Sequence, residues 1–319
     1  MNKKVKNILI TCAGGSSSIY FAKKMRHRFN IFLVDGSAQT VAPFLGFPFK
    51  KVPFGNSLSY TGAINSIIKK WQIDCVVPGA DEELLPIERI CTQNHSVMAI
   101  IPSADFIALC LNKKKLMAAL AKSGISRLPA FKDIKQVQYP SFAKPNFGRG
   151  SRQAHKIENR RQLEGYLKLY DKKFDEVLVQ PFIQGDEYTV SVIVNNLNKI
   201  IGVVPKKIIL KKGITKAAVA ERNSLIEDIS KKIVQKFSPN GPFNIQLIMH
   251  NNEVYIFEIN PRLSTTAVLT DKAFGNEIEL YIKYYDQERI INPPKFRKDI
   301  YLYRFDENYF KSGKGKIIL

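Results

Sequence analysis

Asn244-Ile245-Gln246-Leu247-Ile248-Met249-His250-Asn251-Asn252-Glu253-Val254-Tyr255-Ile256-Phe257-Glu258-Ile259-Asn260-Pro261-Arg262 reads as two strands around a polar turn. Side chains two apart on a strand share a face. Glu258 and Asn260 therefore point the same way, Arg262 sits just beyond, and Gln246 can lie opposite them across an antiparallel pair. A carboxylate, two amide oxygens and a guanidinium then share one small surface. Oxygen donors of this kind suit Mg²⁺, which takes one or two carboxylates together with substrate phosphates. The arginine suits a phosphate oxygen or a developing oxyanion. A solvated face on an edge hairpin is the competing reading. The neighbouring Ile, Leu, Val, Tyr and Phe side chains instead give the pair the composition of a buried sheet.

Upstream of this hairpin, Lys144-Pro145-Asn146-Phe147-Gly148-Arg149-Gly150-Ser151 sets a lysine at a strand end before a glycine-rich loop. The lysine supplies a point charge and the loop offers backbone N–H groups to phosphate oxygens. An ordinary hairpin loop would read much the same. Gln180-Pro181-Phe182-Ile183-Gln184-Gly185-Asp186-Glu187-Tyr188 reads as strand, turn, strand. It offers an apolar edge for a base and, at Glu187, an acceptor for ribose hydroxyls. Alone it is a solvated turn. Ala104 to Lys122 is predicted as one helix with Asn112 and Lys113 inside it, Tyr188–Asn195 and Ile200–Pro205 as a hairpin, and Ala220–Phe237 as a helix.

Residues 7–102 alternate strands and helices: Asn7–Thr11, Ile19–Phe29, Ile31–Asp35, Leu58–Trp71, Ile73–Pro78, Asp81–Ile90 and Val97–Ile101. That order argues a parallel, doubly wound sheet with ligands at the carboxyl ends of its strands. Gly14 to Ser18 and Gly79 to Glu83 lie there. The glycines lack the G-x-G-x-x-G order of a dinucleotide site and read as a tight turn opening a helix. The acids Asp81, Glu82 and Glu83 either start a helix, where carboxylates meet its positive end, or bind a substrate ammonium.

The 319 residues allow two or three domains, and the net charge is +21. The lysines are spread along the chain, with a cluster at Lys206, Lys207, Lys211 and Lys212, and no nucleic-acid module is recognisable. Charge alone therefore leaves nucleic acid, anionic membrane surfaces, anionic substrates and a lysine-biased composition open. No run approaches a membrane span or a secretory signal. Cys12, Cys75, Cys91 and Cys110 lack metal-ligand spacing, and a cytoplasmic protein with free thiols is expected.

In this order the pieces resemble the ATP-grasp superfamily, and more narrowly the stand-alone relatives of one synthetase half of the carbamoyl-phosphate synthase large subunit. The resemblance covers nearly the whole chain. It implies an α/β fold: a Rossmann-like pre-ATP-grasp domain over residues 1–102, an ATP-grasp domain over 103–296 with a lid subdomain over about 128–181, and a tail over 297–319. It also implies ATP and Mg²⁺ as cofactors, with two ions expected and Mn²⁺ as a substitute. By position, Lys113 and Lys144 hold ATP phosphates, and Gly148, Gly150 and Ser151 belong to the loop that covers them. Gln180 and Phe182 face adenine, and Glu187 binds ribose. Gln246, Glu258 and Asn260 are metal ligands, and Arg262, with Lys144, is catalytic. Gln180 stands where an acid is frequent, and Leu263-Ser264-Thr265-Thr266 lacks the glycines often found after the arginine. No glutaminase or second synthetase half is recognisable, so carbamoyl phosphate synthesis is not expected. The expected activity joins a carboxylate to an amine through an acyl phosphate. The expected partners are small molecules rather than nucleic acid or membrane, and a homodimer is admissible. A small-molecule kinase, and a basic nucleic-acid-binding scaffold with a degenerate nucleotide site, are the alternatives.

Overall fold

The computed structural model describes residues 5–148, 153–312 and 317–318. Its first region is the predicted parallel sheet. Strands β1 (Asn7–Ile10), β2 (Asn30–Asp35), β3 (Phe49–Lys51), β4 (Cys75–Val77) and β5 (Met98–Ala99) lie in the order β3-β2-β1-β4-β5. Helices α1 (Ser16–Met25), α2 (Tyr60–Trp71) and α3 (Leu84–Gln93) cover it. Successive residues of β1 enter different cores, as the strand's period of two requires. Ile8 and Ile10 pack with Phe21 and Met25 of α1, whereas Leu9 packs with Ile64, Ile68 and Ile87 of α2 and α3.

The predicted long helix is two helices, α4 (Ala104–Leu111) and α5 (Lys113–Lys122). Asn112 between them is extended, and its side chain accepts from the Lys115 amide at 3.1 Å. Asparagine competes for backbone groups within a helix but caps one well, so the chain turns there and Lys113 becomes the first residue of α5.

A three-stranded antiparallel sheet follows: β6 (Ser141–Pro145) between β7 (His155–Ile157) and β8 (Val177–Pro181), with α6 (Arg160–Leu169) packed on it. The largest sheet contains β9 (Asp186–Val194), β10 (Ile200–Lys212), β11 (Ile214–Ala220), β12 (Phe243–His250), β13 (Glu253–Asn260) and β14 (Ile300–Tyr303), in the order β13-β12-β9-β10-β11-β14. Helix α7 (Ser224–Phe237) starts four residues later than predicted, because Ala217 to Ala220 pair with β10 and with β14. Helices α8 (Ala267–Ala273) and α9 (Glu277–Tyr284) then run back to the first region. Ala267, Ile278 and Tyr281 share a core with Ile10 and Phe21, so the parallel sheet and the largest sheet are joined by apolar packing.

Candidate functional site

A cleft of about 720 Å³ opens between the three-stranded sheet and the largest sheet. The hairpin β12–β13 supplies one wall. Asn244 pairs with Asn260 and Gln246 with Glu258, so Gln246 lies opposite the carboxylate. At the next step Leu247 pairs with Ile256, so Phe257 is an extra residue in a bulge. Bulges free backbone groups from the ladder, and the Phe257 carbonyl accepts from Lys144 Nζ at 2.8 Å. Lys144, on β6 in the opposite wall, also lies 3.4 Å from Glu258 Oε2.

This ion pair is buried, and its electrostatics follow from that. Burial pulls the Lys144 ammonium below the ordinary lysine range; Glu258 pulls the other way, while Lys113 and Lys211 add to the lowering. Burial alone would raise the Glu258 carboxyl. The charges of Lys144, Lys113 and Arg262 more than offset it, and the carboxyl is held below the usual range. The floor of the cleft is therefore an ionised carboxylate among several cations.

Lys113 is brought in by the break at Asn112. Its ammonium donates to the Gly148 carbonyl at 2.6 Å, and its backbone amide donates to the Asn146 carbonyl at 3.2 Å. Asn146 Oδ1 in turn accepts from the Lys114 amide at 2.8 Å. The start of the glycine loop is thus tied to the start of α5. Gly148 has φ +113°, a conformation suited to glycine. Gly150 and Ser151 lie outside the described residues.

At the other end of the cleft, Gln180 is buried and its Nε2 has no acceptor among the described residues. Phe182 lines the same end, with the Lys156 ammonium 4.6 Å from its ring centre. Glu187 is paired at 2.5 Å with Lys211, a cleft-lining residue that was read in the sequence only as part of a charge cluster. The strand β10 is longer than the predicted Ile200–Pro205, and it is this extension that carries Lys211 over the cleft.

Among the described residues, two predicted ones do not line this cleft. Asn260 is buried at the end of β13. Arg262 reaches towards the first region, where its Nε donates to Asp81 Oδ1 at 2.5 Å. Glu83, considered for a substrate ammonium, is committed elsewhere. It is buried, and its Oε2 accepts from Thr11 Oγ1 at 2.5 Å and from the amides of Gly79 and Ala80. Burial raises its carboxyl pKa, with those three hydrogen bonds opposing. Asp81 pairs with arginine and Glu83 organises the loop; Glu82 lines the large cleft.

Among the described residues, no group of three or more His, Cys, Asp and Glu side chains is placed to hold a metal ion. Glu258 with neighbouring amide oxygens is the donor set of a site completed by a ligand's own oxygens, which is how Mg²⁺ is commonly held beside phosphates. Lysines at one end and an unpartnered buried amide at the other fit a molecule with a polyanionic end and a hydrogen-bonding base. Also among the described residues, no helix is long and apolar enough to cross a membrane.

Residues 110–266 match the ATP-grasp domain family. The D-alanine–D-alanine ligase of Petrotoga mobilis is 27% identical over 224 residues, which are 63% of this chain and 73% of that ligase. The carbamoyl phosphate synthase large chain of Methanoregula boonei is 25% identical over 200 residues, 59% of this chain but only 19% of that protein. Among solved structures, N5-carboxyaminoimidazole synthetase from Staphylococcus aureus complexed with ADP superposes with a TM-score of 0.77 at 17% identity, over 96% of this chain and 84% of the synthetase. The L-amino acid ligase of Bacillus licheniformis gives 0.67 at 16% identity, over 88% of this chain and 74% of that ligase.

Proposed function

We propose that this chain, whose residues 110–266 are an ATP-grasp domain, is an ATP-dependent ligase joining a small carboxylate to an amine. The observation that carries the reading is the Lys144–Glu258 pair on the cleft floor, with Lys113 and Lys211 beside it. In this reading the carboxylate attacks the γ-phosphorus of ATP, ADP leaves, and the amine displaces phosphate from the acyl phosphate. Bound Mg²⁺, as one ion or two and replaceable by Mn²⁺, would neutralise phosphate charge.

The chain's own residues take the remaining tasks. Glu258, Gln246 and Asn260 would hold the metal. Lys113 and Lys144 would bind phosphate oxygens, and Gly148 would begin the segment that covers them. Gln180 Nε2 would find its missing acceptor on the adenine, Phe182 would support the base, and Glu187 would release Lys211 to bind ribose. Arg262 would stabilise charge on the transferred group. Residues 1–102, 103–296 and 297–319 serve as the domain units of this scheme, with about 128–181 as the lid. A cytoplasmic location suits the four free cysteines.

The test is ATP consumption by the purified chain with Mg²⁺ against pools of small carboxylates and amines, followed by product analysis. A ligase leaves ADP, free phosphate and a condensed product. A phosphorylated acceptor without condensation would replace the ligase reading with a kinase.

A further inference from the structure

The end of the large cleft away from the phosphate-binding lysines carries one buried amide. Gln180 on β8 pairs with Phe142 on β6, and directly opposed residues of two strands share a face. Both line the cleft, together with Leu128, Phe182 and Ile248. These apolar side chains suit a planar ring and offer it no hydrogen bond. Gln180 is 3% exposed, and its Nε2 has no acceptor among the described residues. A buried N–H without an acceptor is a standing cost, which an accepting ligand atom removes.

The charges around this amide are paired. Among the described residues, the acids lining the cleft are Glu258, paired with Lys144 at 3.4 Å, Glu187, paired with Lys211 at 2.5 Å, and Glu82 from the turn of the first region. The Lys156 ammonium on the Phe182 ring is itself paired with Glu158 at 2.8 Å. The group that Gln180 presents is therefore neutral. A carboxylate at this position could only accept. A carboxamide both donates and accepts, and its terminal torsion is two-fold. A half-turn exchanges the two where no neighbour holds the nitrogen. The purines differ along the edge that such a group reads. Adenine has an acceptor at N7 and a donor amino group at C6, whereas a 6-oxopurine keeps the N7 acceptor and carries a keto oxygen at C6. The Gln180 N–H fits N7 of both and the keto oxygen of the second. Its carbonyl fits the amino group of the first, and no negative charge on this side chain repels the keto oxygen.

We infer that Gln180 lets the cleft take 6-oxopurine nucleoside triphosphates as well as ATP. The inference rests on the nucleotide reading above for the presence of a purine, and goes beyond it in which purines are admitted. Gln180 is then the residue that sets base selectivity, through a partner that changes from donor to acceptor with the base.

Calorimetry on the full chain with Mg²⁺ compares ATP, ITP and CTP. ITP differs from ATP only along the edge in question, and CTP lacks the N7 edge altogether. ATP and ITP should bind within about tenfold of each other, and CTP more weakly than either. Gln180→Glu, measured at alkaline pH where the new carboxyl is ionised, should shift the preference towards ATP by about tenfold or more, because the carboxylate accepts from the amino group and meets the keto oxygen unpaired. Gln180→Met loses donor and acceptor together and should weaken ATP and ITP alike, by about threefold to tenfold. The inference is overturned if ITP binds wild type more than about tenfold weaker than ATP, if CTP matches ITP, or if the folded Glu variant keeps the wild-type ratio and the Met variant the wild-type affinities. Failure of the nucleotide reading looks different: neither ATP nor ITP binds, and both conclusions fall. Failure of the ligase reading alone would leave both nucleotides bound and no carboxylate or amine supporting ATP consumption.

Discussion

Two lysines on neighbouring sheets are both buried and differently employed. Lys144 faces the cleft, with a backbone carbonyl at 2.8 Å and a carboxylate at 3.4 Å. Lys206 on β10 is wholly enclosed and donates to Ser191 Oγ at 2.6 Å and Thr270 Oγ1 at 2.8 Å. Its charge reaches a counter-ion only through Ser191, whose hydroxyl donates to the buried Glu277 at 2.6 Å. Burial lowers the Lys206 pKa to about 8, against the opposing pull of Glu277. One ammonium borders a cavity that a ligand can enter. The other closes a polar circuit that fastens β9 and β10 to α8 and α9. Burial of a lysine does not mark function by itself; what lies on its open side does.

The comparison can be broken most sharply at Glu258. Glu258→Gln keeps the volume and removes the negative charge, so turnover should fall by on the order of 10² to 10³, and the melting temperature should fall as well because Lys144 loses its buried counter-charge. ATP consumption equal to wild type at limiting Mg²⁺ would remove Glu258 from the chemistry.

Lys206→Met probes the other side through pH. Between about pH 8 and the unfolded value near 10.4, the unfolded chain holds a proton on this lysine that the folded chain has lost. Stability from this group therefore rises with pH across that window and is lowest below pH 8. The wild type should gain on the order of 3 kcal/mol from Lys206 over the window, and Lys206→Met should lack that gain. The variant leaves Ser191 and Glu277 without their cation, so the slope, rather than the absolute stability, is the readout from urea unfolding at successive pH values. Parallel slopes for both proteins would show that Lys206 does not titrate in the fold.

Lys144→Met should act on ligand as well as on fold. It removes a phosphate-binding charge and should weaken ATP binding about tenfold or more, measured by calorimetry with Mg²⁺ present. Unchanged affinity would make Lys144 a strut like Lys206. The smallest effect is expected at Lys207, the surface neighbour of Lys206, paired with Asp186 at 2.7 Å. Lys207→Ala should change stability by under about 1 kcal/mol. A larger loss in chemical denaturation would mean that this strand does not separate buried from exposed charge as described.

The parts of the site that depend on alternation were legible in the sequence. The shared face of Glu258 and Asn260 follows from strand period, and the parallel sheet follows from alternating elements; the pairing of Gln246 with Glu258 depends on the bulge. What was missed depends on contacts between distant residues. The bulge at Phe257 leaves no mark in a run of apolar residues. Ala220 reads as the start of a helix, and alanine is a good helix former, yet pairing with β10 and with β14, eighty residues later, makes it the end of a strand. Asn112 interrupts an apolar period too briefly to be read as a break, although it decides where Lys113 points. Glu83 could not be told from a substrate-binding acid without Thr11, 72 residues away.

One hydrogen atom helps set the width of the large cleft. The two sheets that form its walls are joined by Pro181 to Asp186, and within that joint a carbon added to Gly185 would lie 2.2 Å from the Met249 carbonyl oxygen. No side chain, not even a methyl group, fits there without moving the backbone. Gly185→Ala would act as a wedge driven between the walls at their hinge, so residue 185 gauges the aperture without taking part in anything that happens inside it.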